Sequence, residues 1–172
     1  MGRCLLVANQ TLGGVELDRL VRDRLDRGSD HFYVVAPRTR VSNELKTYSG
    51  GFGVYEGMSR DQIRVTNERA IRNFEAALDE ADRRARHRLD QMIARIREAG
   101  GHAAGEVGVD DPLEATGEVL AVQGTFDEII VSTLPVGLSR WVRRDVPRRI
   151  ARMARVPVTT VSVGAVLAEP SG

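Results

Sequence analysis

Cysteine is almost absent from this sequence, which limits the covalent chemistry available to the chain. Cys4 is the only cysteine among 172 residues, so no intramolecular disulfide can form. It lies in a short apolar run at residues 4–8, where a buried and inert thiol is the expected role. Because a chain without disulfides suits a reducing compartment, we expect a cytoplasmic protein.

Long hydrophobic runs and an excess of charge are also missing. No apolar run could cross a bilayer, and the first one is too short for the hydrophobic region of a signal peptide. The 25 basic and 24 acidic side chains leave a net charge of +1. A nearly neutral chain offers little electrostatic attraction to nucleic acids or anionic membranes, and we expect neither as a partner.

Motifs for common catalytic and metal sites are absent too. The histidines His31, His87 and His102 are scattered, and none has a cysteine or carboxylate at metal-ligand spacing. The sequence contains neither G-x-S-x-G nor G-x-x-x-x-G-K-[ST]. Without a nucleophile and base at a recognisable spacing, the sequence favours a protein that is not an enzyme, and it identifies no metal site.

What the chain does contain is an alternation of short apolar runs and amphipathic stretches. Five runs predict β-strands, at residues 3–8, 32–36, 102–109, 126–131 and 156–163. Four stretches predict helices, at 15–25, 71–96, 111–122 and 145–154. Strands that alternate with helices indicate an α/β protein with a parallel sheet covered on both faces.

Two segments in the middle of the chain depart from this regular pattern. Residues 38–66 have no sustained period, so we expect a long loop insert that proteases would cut first. The helix that follows carries one apolar stripe: Ile71, Phe74, Leu78, Ala81, Ala85, Leu89, Met92 and Ile96. So long a stripe could extend past the domain body and serve a partner helix, although it lacks the strict heptad of a long coiled coil.

Four short segments resemble the universal stress protein family. Leu5–Ala8 resembles its first strand, Gly108–Pro112 the entry to its third helix, Asp127–Ser132 its fourth strand, and Arg155–Val161 its last strand with the preceding helix exit. The resemblance implies a five-stranded parallel sheet with helices on both faces. This is a Rossmann-like three-layer sandwich of the adenine-nucleotide α-hydrolase-like type, in which the first and fourth strands are neighbours. It also implies a stress-response role for a single domain over 1–164, followed by a flexible tail at 165–172.

The resemblance further implies a binding crevice at the carboxyl ends of the first and fourth strands, where the strand order reverses. Members that bind ATP carry G-x2-G-x9-G-(S/T) after the fourth strand, because glycines let backbone N–H groups approach phosphates. At those four positions this chain has Ser132, Pro135, Asp145 and Val146. We expect the Asp145 carboxylate to cap the last helix and to occupy N–H groups that would otherwise meet a phosphate.

The candidate crevice is therefore lined by other residue types. They are Asn9, Gln10, Thr11, Pro37, Ser132, Thr133, Gly137, Ser139, Arg140 and Arg143. The lost glycines favour a regulatory or protein-binding module that does not bind ATP in the usual family manner. The alternative is a small-molecule binder that holds ATP, AMP or another nucleotide with these hydroxyls and arginines. No cofactor is assigned beyond that nucleotide.

The last predicted strand also suggests how two copies of the chain associate. An exposed edge strand rich in valine, Val156–Val163, offers unpaired backbone groups to a second copy. Pro157, near its start, is tolerated at a sheet edge. The resemblance implies two-fold pairing of such strands, and we expect a homodimer, with a further protein partner as the regulatory target.

Overall fold

Five strands and four helices alternate along the part of the chain that the structure describes. The computed structural model describes residues 2–8, 11–12, 14–41, 57–134 and 145–162. In chain order the elements are β1 (Arg3–Val7), α1 (Val15–Asp26), β2 (His31–Pro37), α2 (Arg60–Glu98), β3 (His102–Gly108), α3 (Pro112–Gln123), β4 (Glu128–Thr133), α4 (Val146–Ala154) and β5 (Val158–Ser162). The predicted α/β alternation is confirmed.

All five strands form one parallel sheet in the order β3-β2-β1-β4-β5. The central strand β1 pairs with β2 on one side and with β4 on the other, so that Leu5 lies between Tyr33 and Ile129. A strand in this position is buried on both faces, which is why its sequence is apolar without alternation. The predicted neighbourhood of the first and fourth strands is confirmed.

The sheet separates two hydrophobic cores, one on each face. Cys4, Leu6 and Ala8 of the first run lie in the core shared with α1 and α2. Leu5 and Val7 lie in the core shared with α3 and α4. Because successive side chains of a strand point to opposite faces, one short apolar run serves both cores. The arrangement is the expected three-layer sandwich, and Cys4 is buried as expected.

Helix boundaries follow the capping residues that the sequence contains. The Asp111 carboxylate accepts hydrogen bonds from the backbone N–H groups of Leu113 and Glu114, at 2.8 and 3.2 Å, and so begins α3. Gly100 has a φ of 95°, a left-handed conformation that favours glycine and ends α2. Both predicted boundaries are therefore confirmed.

Several predicted boundaries were wrong. Residues 60–66 are helical rather than irregular, because Ser59 and Gln62 form a capping box that begins α2 at Arg60. The signal was present in the sequence as a serine followed three residues later by a glutamine. The rest of the expected loop at 42–56 lies outside the described residues, as does the expected tail. Strand β4 begins at Glu128 rather than at Phe126 and continues to Thr133, two residues beyond the apolar run that predicted it. Strand β5 begins at Val158 rather than at Val156, because its pairing with β4 starts opposite Ile129.

The long helix α2 packs on the sheet with only its C-terminal half. Its buried residues are Ala81, Ala85, Leu89, Met92 and Ile96. Further towards the N-terminus on the same stripe, Leu78 and Ile71 are 38% and 47% exposed. An ion pair of 3.5 Å joins Asp82 to Arg38, just after β2, where the helix leaves the body. None of the helices in the described ranges has the length and apolar character to cross a bilayer.

Candidate functional site

The order in which the chain connects its strands sets β1 beside β4 at a topological switch point. From β1 the chain passes through α1 to β2 on one side, and from β4 it passes through α4 to β5 on the other. The helices α1 and α4 cover opposite faces of the sheet. In open α/β sheets ligands bind at this point, outside the carboxyl ends of the strands.

Three predicted site residues are brought together at this edge. Thr11 follows β1, and Ser132 and Thr133 are the last two residues of β4. All three are buried. The Thr11 hydroxyl donates a hydrogen bond of 3.0 Å to the backbone carbonyl of Ser132. This bond joins the segment after β1 to the end of β4 at the carboxyl edge of the sheet.

The hydroxyls of Ser132 and Thr133 have no hydrogen-bond partner among the described residues. Leaving a buried hydroxyl without a partner costs about 1–3 kcal/mol, so such groups normally meet water, a ligand or another protein group. Consecutive strand residues point to opposite faces. Ser132 therefore lies on the α1 side of the sheet and Thr133 on the α4 side, and the two hydroxyls flank the crevice from both faces.

Pro37 lies at the same end of the sheet but belongs to the neighbouring strand pair. It is the last residue of β2, is buried, and pairs in register with Gly108 of β3. The backbone N–H of Arg38 then donates to the carbonyl of Gly108 at 3.2 Å. Pro37 therefore lies one strand away from the junction of β1 and β4. The other six candidates lie outside the described residues: Asn9, Gln10, Gly137, Ser139, Arg140 and Arg143.

The expected role of Asp145 as a side-chain cap of α4 is wrong. Asp145 does occupy the N-cap position, but its φ is 54° and its carboxylate accepts no capping hydrogen bond. The carboxylate instead pairs with Arg148 and Arg152, each at 3.7 Å. Only its backbone carbonyl serves the helix, accepting from the Arg149 N–H at 3.1 Å. The left-handed backbone directs the side chain along the helix rather than over its end.

Ion pairs that the sequence did not predict lie beside the crevice, beyond β2 and β3. Arg38 pairs with Asp82 of α2 at 3.5 Å, and Arg40 pairs with Asp110 after β3 at 3.6 Å. Their partners lie far apart in sequence, so no local spacing signals them. Within the described residues, no group of three histidine, cysteine or carboxylate side chains could hold a metal ion.

Comparison with solved structures agrees with this geometry. No family model matches the sequence, and no curated protein matches it. A universal stress protein from Archaeoglobus fulgidus superposes with a TM-score of 0.50 at 15% identity, with 94% of each chain covered. A universal stress protein family protein from Arabidopsis thaliana with AMP bound gives a TM-score of 0.50 at 14% identity, covering 95% of this chain and 93% of its own.

The chain has the universal stress protein fold. The described residues form its five-stranded parallel sheet and a helix layer on each face. At 14–15% identity the comparison concerns the fold and not the ligand.

Proposed function

We propose that this chain is a regulatory binding module of the universal stress protein type, and that its β1–β4 crevice holds a small anionic molecule such as an adenine nucleotide. The observation that carries the proposal is that the buried hydroxyls of Ser132 and Thr133, at the carboxyl end of β4, find no hydrogen-bond partner in the described part of the chain. Hydroxyls in this position can donate to phosphate or ribose oxygens. The AMP-bound Arabidopsis protein supports this class of ligand because it shares the fold.

Binding in this proposal does not use the glycine cradle of ATP-binding family members. Pro135 has no N–H to offer, and Ser132 and Asp145 stand where glycines would be. Arg140 and Arg143 are basic residues of the segment after β4, and in this proposal they supply the positive charge for the phosphate. The Asp145 carboxylate, which Arg148 and Arg152 partly neutralise, opposes an anion less than a bare charge would.

Thermal unfolding in the presence of AMP, ATP and cyclic AMP tests the proposal. At about one hundred times its dissociation constant, a ligand should raise the melting temperature by roughly 5–10 °C. The substitutions Ser132→Ala and Thr133→Val should each reduce that rise, and a double change of Arg140 and Arg143 to alanine should abolish it. Thr116→Val is the matched control, because the buried Thr116 hydroxyl already donates to the Pro112 carbonyl within α3. Unchanged melting with all three nucleotides would reject the proposal.

A second candidate function is a protein-binding module without a small ligand. The observation that favours it is the loss of all four positions of the family's phosphate motif. In that case the nucleotides leave the melting temperature unchanged, and the module acts through its surface.

We also infer that two copies pair through β5. This strand forms one edge of the sheet, and its Thr160 is exposed. An edge strand presents unpaired backbone groups that a second strand can bind.

A further inference from the structure

The N-terminal half of α2 carries an apolar stripe that no described residue buries. The stripe continues the helix face that packs on the sheet. From Ala81 towards the N-terminus, at spacings of three and four residues, it consists of Leu78, Phe74 and Ile71. Leu78 and Ile71 are 38% and 47% exposed, and Phe74 is partly exposed. At a rise of 1.5 Å per residue, the exposed stripe from Ile71 to Leu78 extends about 10 Å. An exposed apolar stripe on a helix that leaves the body indicates a surface for a partner.

The side chains along the stripe alternate in size in a way that matches a second copy of itself. Ala70 and Ala77 stand beside Ile71 and Leu78, with Phe74 at the midpoint. If two such helices run antiparallel with Phe74 opposite Phe74, Ile71 faces Ala77 and Leu78 faces Ala70. Large residues then fill the spaces above small ones, which lets the two helices approach closely.

The charges beside the stripe follow the same antiparallel symmetry. Arg72 precedes Phe74, and Glu75 and Asp79 follow it on the same flank of the helix. None of these three side chains forms an ion pair with a described residue. An antiparallel pair keeps the same flanks together, so Arg72 of one copy comes on the side of Glu75 and Asp79 of the other, whereas a parallel pair would set this flank beside the opposite one.

The longer charge pattern also selects a second copy over a partner of one sign. On the two sides of Phe74, residues 68–72 contain two arginines and one acidic residue, whereas residues 76–80 contain two acidic residues and no basic one. A uniformly acidic or basic partner would be repelled by one of these two stretches. An antiparallel copy centred on Phe74 sets each stretch against the other, on both sides of the axis.

We propose that a second copy of this chain packs antiparallel on the exposed half of α2, with a two-fold axis at Phe74. Such a contact is self-complementary, so it joins the chains in pairs. It lies on the β2–β3 side of the sheet and is separate from the β5 edge.

Cross-linking through an engineered cysteine tests the axis directly. Phe74→Cys places one thiol from each copy next to the two-fold axis, so mild oxidation or a short bis-maleimide should join two chains covalently. Ala76→Cys is the matched control, because Ala76 is exposed and lies two residues on, on the opposite face of the helix. The native Cys4 is buried and does not compete. Cross-linking of Phe74→Cys no greater than that of Ala76→Cys would overturn the proposal, and this is the result expected if the chain's own residues 42–56 cover the stripe.

Charge substitutions test the register without cross-linking. Phe74→Asp sets two carboxylates together at the axis and should halve the mass seen by light scattering, whereas Ala76→Asp should not. Glu75→Arg should weaken association by about fivefold, and adding Arg72→Glu in the same chain should restore it. Circular dichroism reports whether α2 remains helical in each variant. Equal masses for Phe74→Asp and Ala76→Asp, or no effect of Glu75→Arg, would contradict the antiparallel contact.

Discussion

Arg24 of α1 binds the carboxylate of Glu128, the first residue of β4, at two points. The Nε and Nη2 atoms of Arg24 donate to the two carboxylate oxygens at 2.6 and 2.8 Å. The hydroxyl of Thr159 on β5 donates to the same carboxylate. The Arg24 and Glu128 side chains are only 15% and 16% exposed. One ion pair therefore ties a helix to two adjacent strands at the amino end of the sheet.

Removing the charge of Glu128 should destabilise the fold. Glu128→Gln leaves the largely buried Arg24 guanidinium with only the more exposed Asp23 as a counter-charge, and we expect the free energy of unfolding to fall by about 1–2 kcal/mol. Urea denaturation measures the change. Glu80→Gln is the control, because Glu80 pairs with Arg83 and Arg84 on the exposed surface of α2 and should matter little. Equal small effects of both substitutions would contradict a structural role for the Arg24–Glu128 pair.

The same pair predicts how stability depends on acid. The hydrogen bonds from Arg24 hold the pKa of Glu128 below its usual value of 4.5, although partial burial opposes them. A carboxyl with a lowered folded pKa adds stability above its unfolded pKa and loses it as the pH falls through the folded value. We expect the wild-type protein to lose more stability than Glu128→Gln below about pH 4.5. Parallel acid dependences of the two proteins would reject this assignment.

Tyr33 should titrate at unusually high pH. Burial and the hydrogen bond of 2.6 Å that its hydroxyl donates to Glu106 raise the pKa of Tyr33 to about 12. Because the folded pKa lies above the usual 10, the contribution of Tyr33 to stability is complete below pH 10 and is lost as the pH rises towards 12. Ultraviolet titration of the wild type minus Tyr33→Phe isolates this residue from Tyr48 and Tyr55. A difference curve with its midpoint near pH 10 would contradict the prediction.

The fold could be predicted from local patterns because each element carries its own signal. The buried run at Leu5–Ala8 and the cap at Asp111 act over a few residues, and both were interpreted correctly. The carboxyl edge was harder, because backbone geometry decides what its side chains do. Asp145 has a residue type and position typical of a cap, yet its left-handed backbone directs the carboxylate to Arg148 and Arg152. The pairing of Arg24 with Glu128 joins residues far apart in sequence, and no spacing indicates it.

Two glycines should respond in opposite ways to substitution by alanine. A Cβ atom at Gly105 of β3 would lie 2.2 Å from the Val34 carbonyl oxygen and 2.9 Å from Leu89 Cδ1, so Gly105→Ala should cost about 2 kcal/mol. A Cβ atom at Gly117 in α3 meets only Met153 Sδ, at 3.6 Å. Gly117→Ala should therefore stabilise the protein by about 0.5–1 kcal/mol, the helix preference for alanine. Thermal or urea unfolding measures both, and a stabilising Gly105→Ala would show that β3 and β2 separate more easily than the structure indicates.

Pairing through β5 should depend on the outward N–H of Thr160. The Pro157 carbonyl accepts from the Ile129 N–H at 2.9 Å, so residues 157, 159 and 161 face β4. The backbone groups of Thr160 then point away from the sheet. Thr160→Pro removes one outward donor without breaking a bond to β4, whereas Thr160→Val keeps it.

Light scattering in the Phe74→Asp background separates this edge from the contact proposed for α2. In the Phe74→Asp variant we expect a dimer when Thr160 is kept or replaced by valine. We expect a monomer after Thr160→Pro, because a β5 edge without this central N–H donor cannot form its full set of backbone hydrogen bonds with a second copy. If the Thr160→Pro chain stays dimeric in that background, β5 does not form the interface. If Phe74→Asp alone is already monomeric, α2 is sufficient to explain association and the edge of the sheet is free.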